Sequence, residues 1–111
     1  MRDYGNCEKT LRALGLCAKA GKLVIGTPLI CEALKSNTKK PFLVLSSCDN
    51  GENTAKRLRD RCNYYGVPLV QLEADGETLS AAIGKNARVA AVAVTDENLC
   101  RLVKGTIASA E

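Results

Sequence analysis

Apolar residues recur along this chain at two periods, and the periods alternate. Residues 4–20 place Cys7, Leu11, Leu14 and Ala18 three and four positions apart, the spacing of one helix face. Leu23 to Ile25 is a short apolar run between glycines and reads as a strand. Residues 28–36 return to helical spacing through Ile30, Ala33 and Leu34, with Thr27 as N-cap and Pro28 at the first helical position, where a missing N–H is no loss. After a polar loop at 36–41, Phe42 to Ser46 is a continuous apolar run, as expected of a strand covered on both faces. Cys48 to Asn53 reads as a polar turn.

Residues 53–65 form a third helix. Ala55, Leu58, Cys62 and Tyr65 point inward, and Lys56, Arg57, Arg59 and Arg61 cover the outside. Gly66 stops it, and Val67-Pro68 leads into a strand from Leu69 to Leu72. A short helix at 77–84 buries Leu79, Ala82 and Ile83, and a loop from Lys85 to Arg88 follows. Val89 to Val94 is the most hydrophobic strand. Thr95 or Asp96 caps a last helix that turns Leu99, Leu102, Val103 and Ile107 to one side. Four strands separated by helices predict an α/β fold: a single three-layer α/β/α sandwich around a central four-stranded mixed sheet, with residues 1–111 as one domain.

With four aromatic residues among the 111, alanine, leucine and valine must fill the core. The net charge is +4, and all the excess is at one end: residues 1–40 carry eight bases and three acids. That asymmetry favours a polyanionic partner. Six cysteines stand at least ten positions apart, with no Cys-x-x-Cys motif and no histidine. This spacing points away from a zinc site and toward small buried thiols in a reducing cytoplasm. The polar N-terminus and the short apolar runs predict neither a signal peptide nor a membrane span.

Without histidine, the usual general base near neutral pH is missing. Asp49, Glu52 and Asp96 fall near strand ends, where α/β enzymes keep their acids, but each also adjoins a helix start, where negative charge is stabilised without catalysis. No glycine-rich phosphate loop is present. The sequence therefore predicts no enzyme, no cofactor, no metal and no small-molecule substrate. The stretch from Lys19 to Lys35 is the most suggestive. A cationic helix end passes through a short strand to a glycine-led helix start, and the amides and lysines together suit phosphate or polar base edges. Lys39 lies one link away in the loop. The competing explanation is an ordinary strand-to-helix turn with solvated lysines, and the outer cations of the third helix read as a solvated face.

Several segments together resemble the ribosomal protein seven-Ae/thirty-e superfamily, in its small bacterial ribosomal-protein-like branch. They are Ala18 to Thr27, Asn53 to Arg57, Cys62 to Pro68, Leu79 to Lys85 and Arg88 to Asp96, in the expected order. The resemblance implies a non-catalytic, ribosome-associated protein that binds structured RNA, with ribosomal RNA as the expected partner and ribosomal proteins as further neighbours. In such proteins the start of the second helix enters a kink-turn, and a loop before the last strand covers an extruded nucleotide. Carried onto this chain, the RNA-binding residues are Lys19, Lys22, Gly26, Thr27, Lys35, Lys39, Lys85, Arg88 and Val89.

The chain departs from the pattern directly after Thr27. The superfamily's kink-turn readers carry Asn-Glu-x-x-Lys or Lys-Gln-x-x-Lys there; this chain has Pro28, Leu29 and Glu32. Proline and leucine make no side-chain hydrogen bonds to base edges, and Glu32 puts an anion where a lysine would meet phosphate. Each such contact is worth ~1–3 kcal/mol of discrimination, so losing two or three bears on kink-turn specificity more than on RNA binding as such. The alternative is a protein-interaction adaptor on the same fold that has lost specific RNA reading, using Pro28 and Leu29 as contact surface.

Overall fold

A computed structural model describes residues 4–36, 38 and 40–108, with side chains from residue 8 to 107 within that range. The elements alternate as the periodicity predicts. They are α1 (Tyr4–Lys19), β1 (Leu23–Ile25), α2 (Thr27–Leu34), β2 (Leu43–Ser46), α3 (Glu52–Tyr65), β3 (Leu69–Gln71), α4 (Gly76–Ala82), β4 (Ala91–Val94) and α5 (Glu97–Ala108). The four strands form one mixed sheet in the order β1-β4-β2-β3. β4 pairs antiparallel with β1, setting Ile25 against Val92, and antiparallel with β2, setting Ser46 against Ala91; β2 and β3 are parallel.

The two-residue period of the strands decides which helices cover which face. Leu43, Leu45, Val92 and Val94 point to one side, where they pack with Leu14 and Cys17 of α1, Leu79 of α4 and Val103 of α5. Val44, Ala91 and Ala93 point to the other and meet Ile30 and Leu34 of α2 and Leu58 and Cys62 of α3. The result is the three-layer sandwich, with small residues at the centre of the α2/α3 face.

Several expected boundaries move by a residue or two. Thr27 is the first residue of α2 and not its cap: Gly26 takes the cap position at φ 98°, ψ 143°, a conformation open to glycine, and its carbonyl accepts the first helical bond from the Ile30 N–H at 3.0 Å. β4 begins at Ala91 and not Val89, because the Val89 N–H turns away to the Gly76 carbonyl at 3.3 Å. Phe42 and Leu72 fall just outside β2 and β3, though each still donates a backbone bond to a neighbouring strand. The fourth helix ends at Ala82, before Gly84. Leu102, expected inside, is exposed, since Cys100 and Val103 carry the buried stripe of α5. Cys48 is exposed, whereas Cys17, Cys31, Cys62 and Cys100 are buried and free; the Cys7 side chain lies outside the described residues.

Candidate nucleic-acid interface

The carboxyl ends of β1 and β2 and the amino end of β4 share one edge of the sheet. The Gly26 N–H donates to the Ala91 carbonyl at 3.0 Å, and the Ser47 N–H to the Ala90 carbonyl at 2.9 Å. The start of α2 and the loop before β4 are therefore neighbours, a relation that periodicity alone leaves open. Together they line a concavity of about 620 Å³ formed by Ile25, Gly26, Thr27, Pro28 and residues 85–90.

The start of α2 and a cation border this concavity. Thr27 and Leu29 have N–H groups ahead of the first helical bond, while Pro28 has none. The Thr27 hydroxyl oxygen is buried without a hydrogen-bond partner among the described residues. Lys85 is exposed at the rim. Val89 is buried and joins the core on the α1/α4/α5 side, so it supplies apolar floor. Pro28 is an exposed part of the cavity wall, and Leu29, also exposed, follows it without lining the cavity.

Arg88 lines the same cavity, but its guanidinium is already engaged. Nη2 donates to the Asp49 carboxylate at 2.8 Å, the Asp49 carbonyl at 3.0 Å and the Asn50 side-chain oxygen at 3.2 Å. Asp49 also accepts from the Gly76 N–H at 3.0 Å, and Asn50 donates to the Ala90 carbonyl at 3.0 Å. Gly76 leaves the room this needs: a Cβ there would lie 2.6 Å from Arg88 Cγ. Arg88 thus ties the β2–α3 loop, the start of α4 and the cavity loop together. The hydrogen bond from Arg88, then that from Gly76, holds the Asp49 carboxyl below its ordinary range. Sequence reasoning missed this clamp because its partners are about forty positions apart and form no local motif.

The other acids are also accounted for. Asp49 was expected at the start of α3, but it serves the start of α4 instead. Asp96 caps α5 through the Leu99 N–H at 3.0 Å, and Asp75 caps α4 through the Thr78 N–H at 2.8 Å. Asp75 is held below its usual range chiefly by that backbone bond. Glu52 occupies the first turn of α3.

The remaining expected site residues lie elsewhere. Lys22 lies just ahead of β1, where its carbonyl accepts from the Thr95 N–H at 3.0 Å. Four residues of extended chain put it ~13 Å from Gly26. Lys19 ends α1 near Lys22, and Lys35 follows the far end of α2, 3.7 Å from Glu32. Lys39 lies outside the described residues. The structure thus gathers Gly26, Thr27, Lys85, Arg88 and Val89 and sets Lys19, Lys22 and Lys35 toward the opposite edge of the sheet.

An α/β/α sandwich whose second helix start and last-strand loop share a largely apolar cavity is a scaffold of recognisable type. Residues 8–103 match the family described as ribosomal protein L7Ae/L30e/S12e/Gadd45. The chain is similar to the RNA-binding protein YlxQ of Bacillus subtilis (strain 168), 44% identical over 84 residues that cover 76% of this chain and 80% of that protein. It is also similar to the RNA-binding protein YlxQ of Enterococcus faecium, 33% identical over 78% of this chain and 82% of that one. A solved protein of unknown function from Bacillus halodurans superposes with a TM-score of 0.80 at 34% identity, covering 90% of this chain and 97% of that one. The Giardia lamblia 15.5kD RNA binding protein shares the fold, with a TM-score of 0.80 at 16% identity over 99% of this chain and 91% of its own. The chain belongs to the ribosomal protein L7Ae/L30e/S12e/Gadd45 family.

Proposed function

We propose that this is an RNA-binding protein of that family, with residues 1–111 acting as one non-catalytic, ribosome-associated domain in the cytoplasm. The observation that carries this reading is the shared cavity. A helix start with the Thr27 amide and its buried unsatisfied hydroxyl faces a loop bearing Lys85, with apolar floor between them. Such a site suits an RNA element whose bases are opened or splayed, with backbone donors for polar edges and cations for phosphate. The names of the two curated relatives agree with it. The non-catalytic part rests on the acids: Asp49, Asp75 and Asp96 are each spent on backbone donors. Among the described residues no helix is long and apolar enough to cross a membrane, and the buried free thiols suit a reducing compartment.

The RNA is structured and ribosomal in this reading. Pro28 in the cavity wall and Leu29 after it leave the backbone and Thr27 to do what side-chain amides do in kink-turn readers, so shape is read more strongly than base identity. Of the nine residues taken from the sequence, Gly26, Thr27, Lys85 and Val89 form the contact itself. Arg88 holds the loop, and Lys19, Lys22, Lys35 and Lys39 add longer-range attraction.

Gel-shift titration against fragments of ribosomal RNA at two salt concentrations tests the proposal. Binding should weaken steeply with salt. Lys85→Glu should lower affinity and reduce the salt slope by about 1 without changing the melting temperature. Absence of binding at low salt, or binding indifferent to salt, would refute it.

A further inference from the structure

The outer face of α3 has features that the cavity does not use. Lys56 pairs with Asp60 at 2.9 Å, one turn on, as solvated helix cations commonly do. Arg57 and Arg61 do not: among the described residues neither meets a carboxylate, and they sit one turn apart as like charges. Such an arrangement opposes the helix and has to be offset elsewhere. Tyr64 lies one turn beyond Arg61 on the same stripe and is 80% exposed. Tyr65, half-buried against Leu58 and Cys62, braces it edge-on, with ring centroids 4.8 Å apart at 85°. A supported, open aromatic ring preceded by two unpaired arginines is the composition of a platform for single-stranded nucleic acid, where cations track the backbone and a base stacks.

The stripe's position fits a strand leaving the cavity. α3 begins directly after the loop in which Asn50 bonds Ala90, at the cavity's own edge of the sheet, and runs ~20 Å back from it. A chain passing along it meets Arg57, then Arg61, then Tyr64.

We infer that Arg57, Arg61 and Tyr64 form a second RNA contact, separate from the α2 cavity, that takes a single-stranded segment. This rests on the RNA-binding reading above and adds to it a second ligand form and a second site.

The test uses the full chain and two labelled probes: an oligouridine of about ten nucleotides, within the range one such platform spans, and fragments of ribosomal RNA. Oligouridine should bind weakly. Tyr64→Ala should weaken it roughly tenfold and Tyr64→Phe should not, because stacking needs the ring and not the hydroxyl. Arg57→Gln with Arg61→Gln should lower its salt slope by about 1.4. Lys85→Glu should leave oligouridine binding unchanged while weakening the ribosomal fragments. The second contact is overturned if oligouridine fails to bind, if the α3 variants bind it like the parent, or if Lys85→Glu abolishes it, which would seat it in the cavity. Failure of the ribosomal fragments at low salt would instead overturn the RNA-binding reading itself.

Discussion

The Thr27 hydroxyl sits at the start of α2 with no hydrogen-bond partner among the described residues. A buried hydroxyl without a partner is destabilising, so Thr27→Val, which keeps the shape and removes the oxygen, should leave the melting temperature unchanged or raise it slightly, by up to ~1 kcal/mol of stability. RNA affinity should fall in the same variant; a gel shift indistinguishable from the parent would show that the hydroxyl does not reach the ligand. The sequence singled out Thr27, and the structure places it in the cavity wall, but the capping role read for it goes to Gly26. A threonine ahead of Pro28 has the look of a cap. Only the backbone shows that Gly26 takes that role, because the chain leaves β1 at a positive φ. Arg88 shows the opposite limit. Its charge and position beside the loop were legible, but the partners that occupy it, Asp49 and Asn50, come from another loop, and no spacing rule joins them.

The alternation of helix and strand was readable almost throughout, because each element carries its own apolar period. What escaped were the ends, where tertiary bonds decide. Val89 has the composition of a strand residue yet bonds to Gly76, and this bends the segment into the cavity loop. The same region should be sensitive to acid. Asp49 has a folded-state pKa below its unfolded value, so the ionised form favours the native state. That stability is present above the ordinary carboxylate value, ~4, and is lost as pH falls through the lower folded value. Arg88→Ala removes the largest cause of the shift. The gap in melting temperature between parent and Arg88→Ala should therefore be widest near neutral pH and should narrow below pH ~4. A gap that does not change with pH would mean that Arg88 stabilises the loop through packing and not through Asp49. Asp60 is shifted the same way by Lys56 and contributes to the acid sensitivity of both proteins alike, whereas Asp75, shifted down chiefly by the Thr78 N–H, also feels Arg88 and adds slightly to the difference.

Across the whole molecule, the sandwich separates its thiols by environment. Burial pushes the Cys62 thiol up to about 11 and raises those of Cys17 and Cys100, while Cys48 stands exposed at the end of β2. Because the thiolate is the reactive form, iodoacetamide near neutral pH should modify Cys48 ahead of Cys17, Cys31, Cys62 and Cys100, which it should reach only as the protein unfolds. Peptide mass spectrometry over time reads this directly, and labelling of Cys62 at the rate of Cys48 would contradict the packing described. The sequence predicted buried thiols as a class. It did not separate Cys48, whose neighbours Ser46 and Ser47 are buried, because the turn that exposes it is set by long-range bonds such as that from the Cys48 N–H to the Ala74 carbonyl.

β4, the last strand to be made, lies between β1 and β2. While the chain is still emerging during synthesis, β1 has no strand to pair with, and Gly26 lacks the carbonyl that fixes its turn. The cavity is consequently a late product of folding, assembled when residues 91–94 insert, and a nascent chain that stops short of them has α1 to α4 but neither α5 nor the wall that closes the cavity against the start of α2.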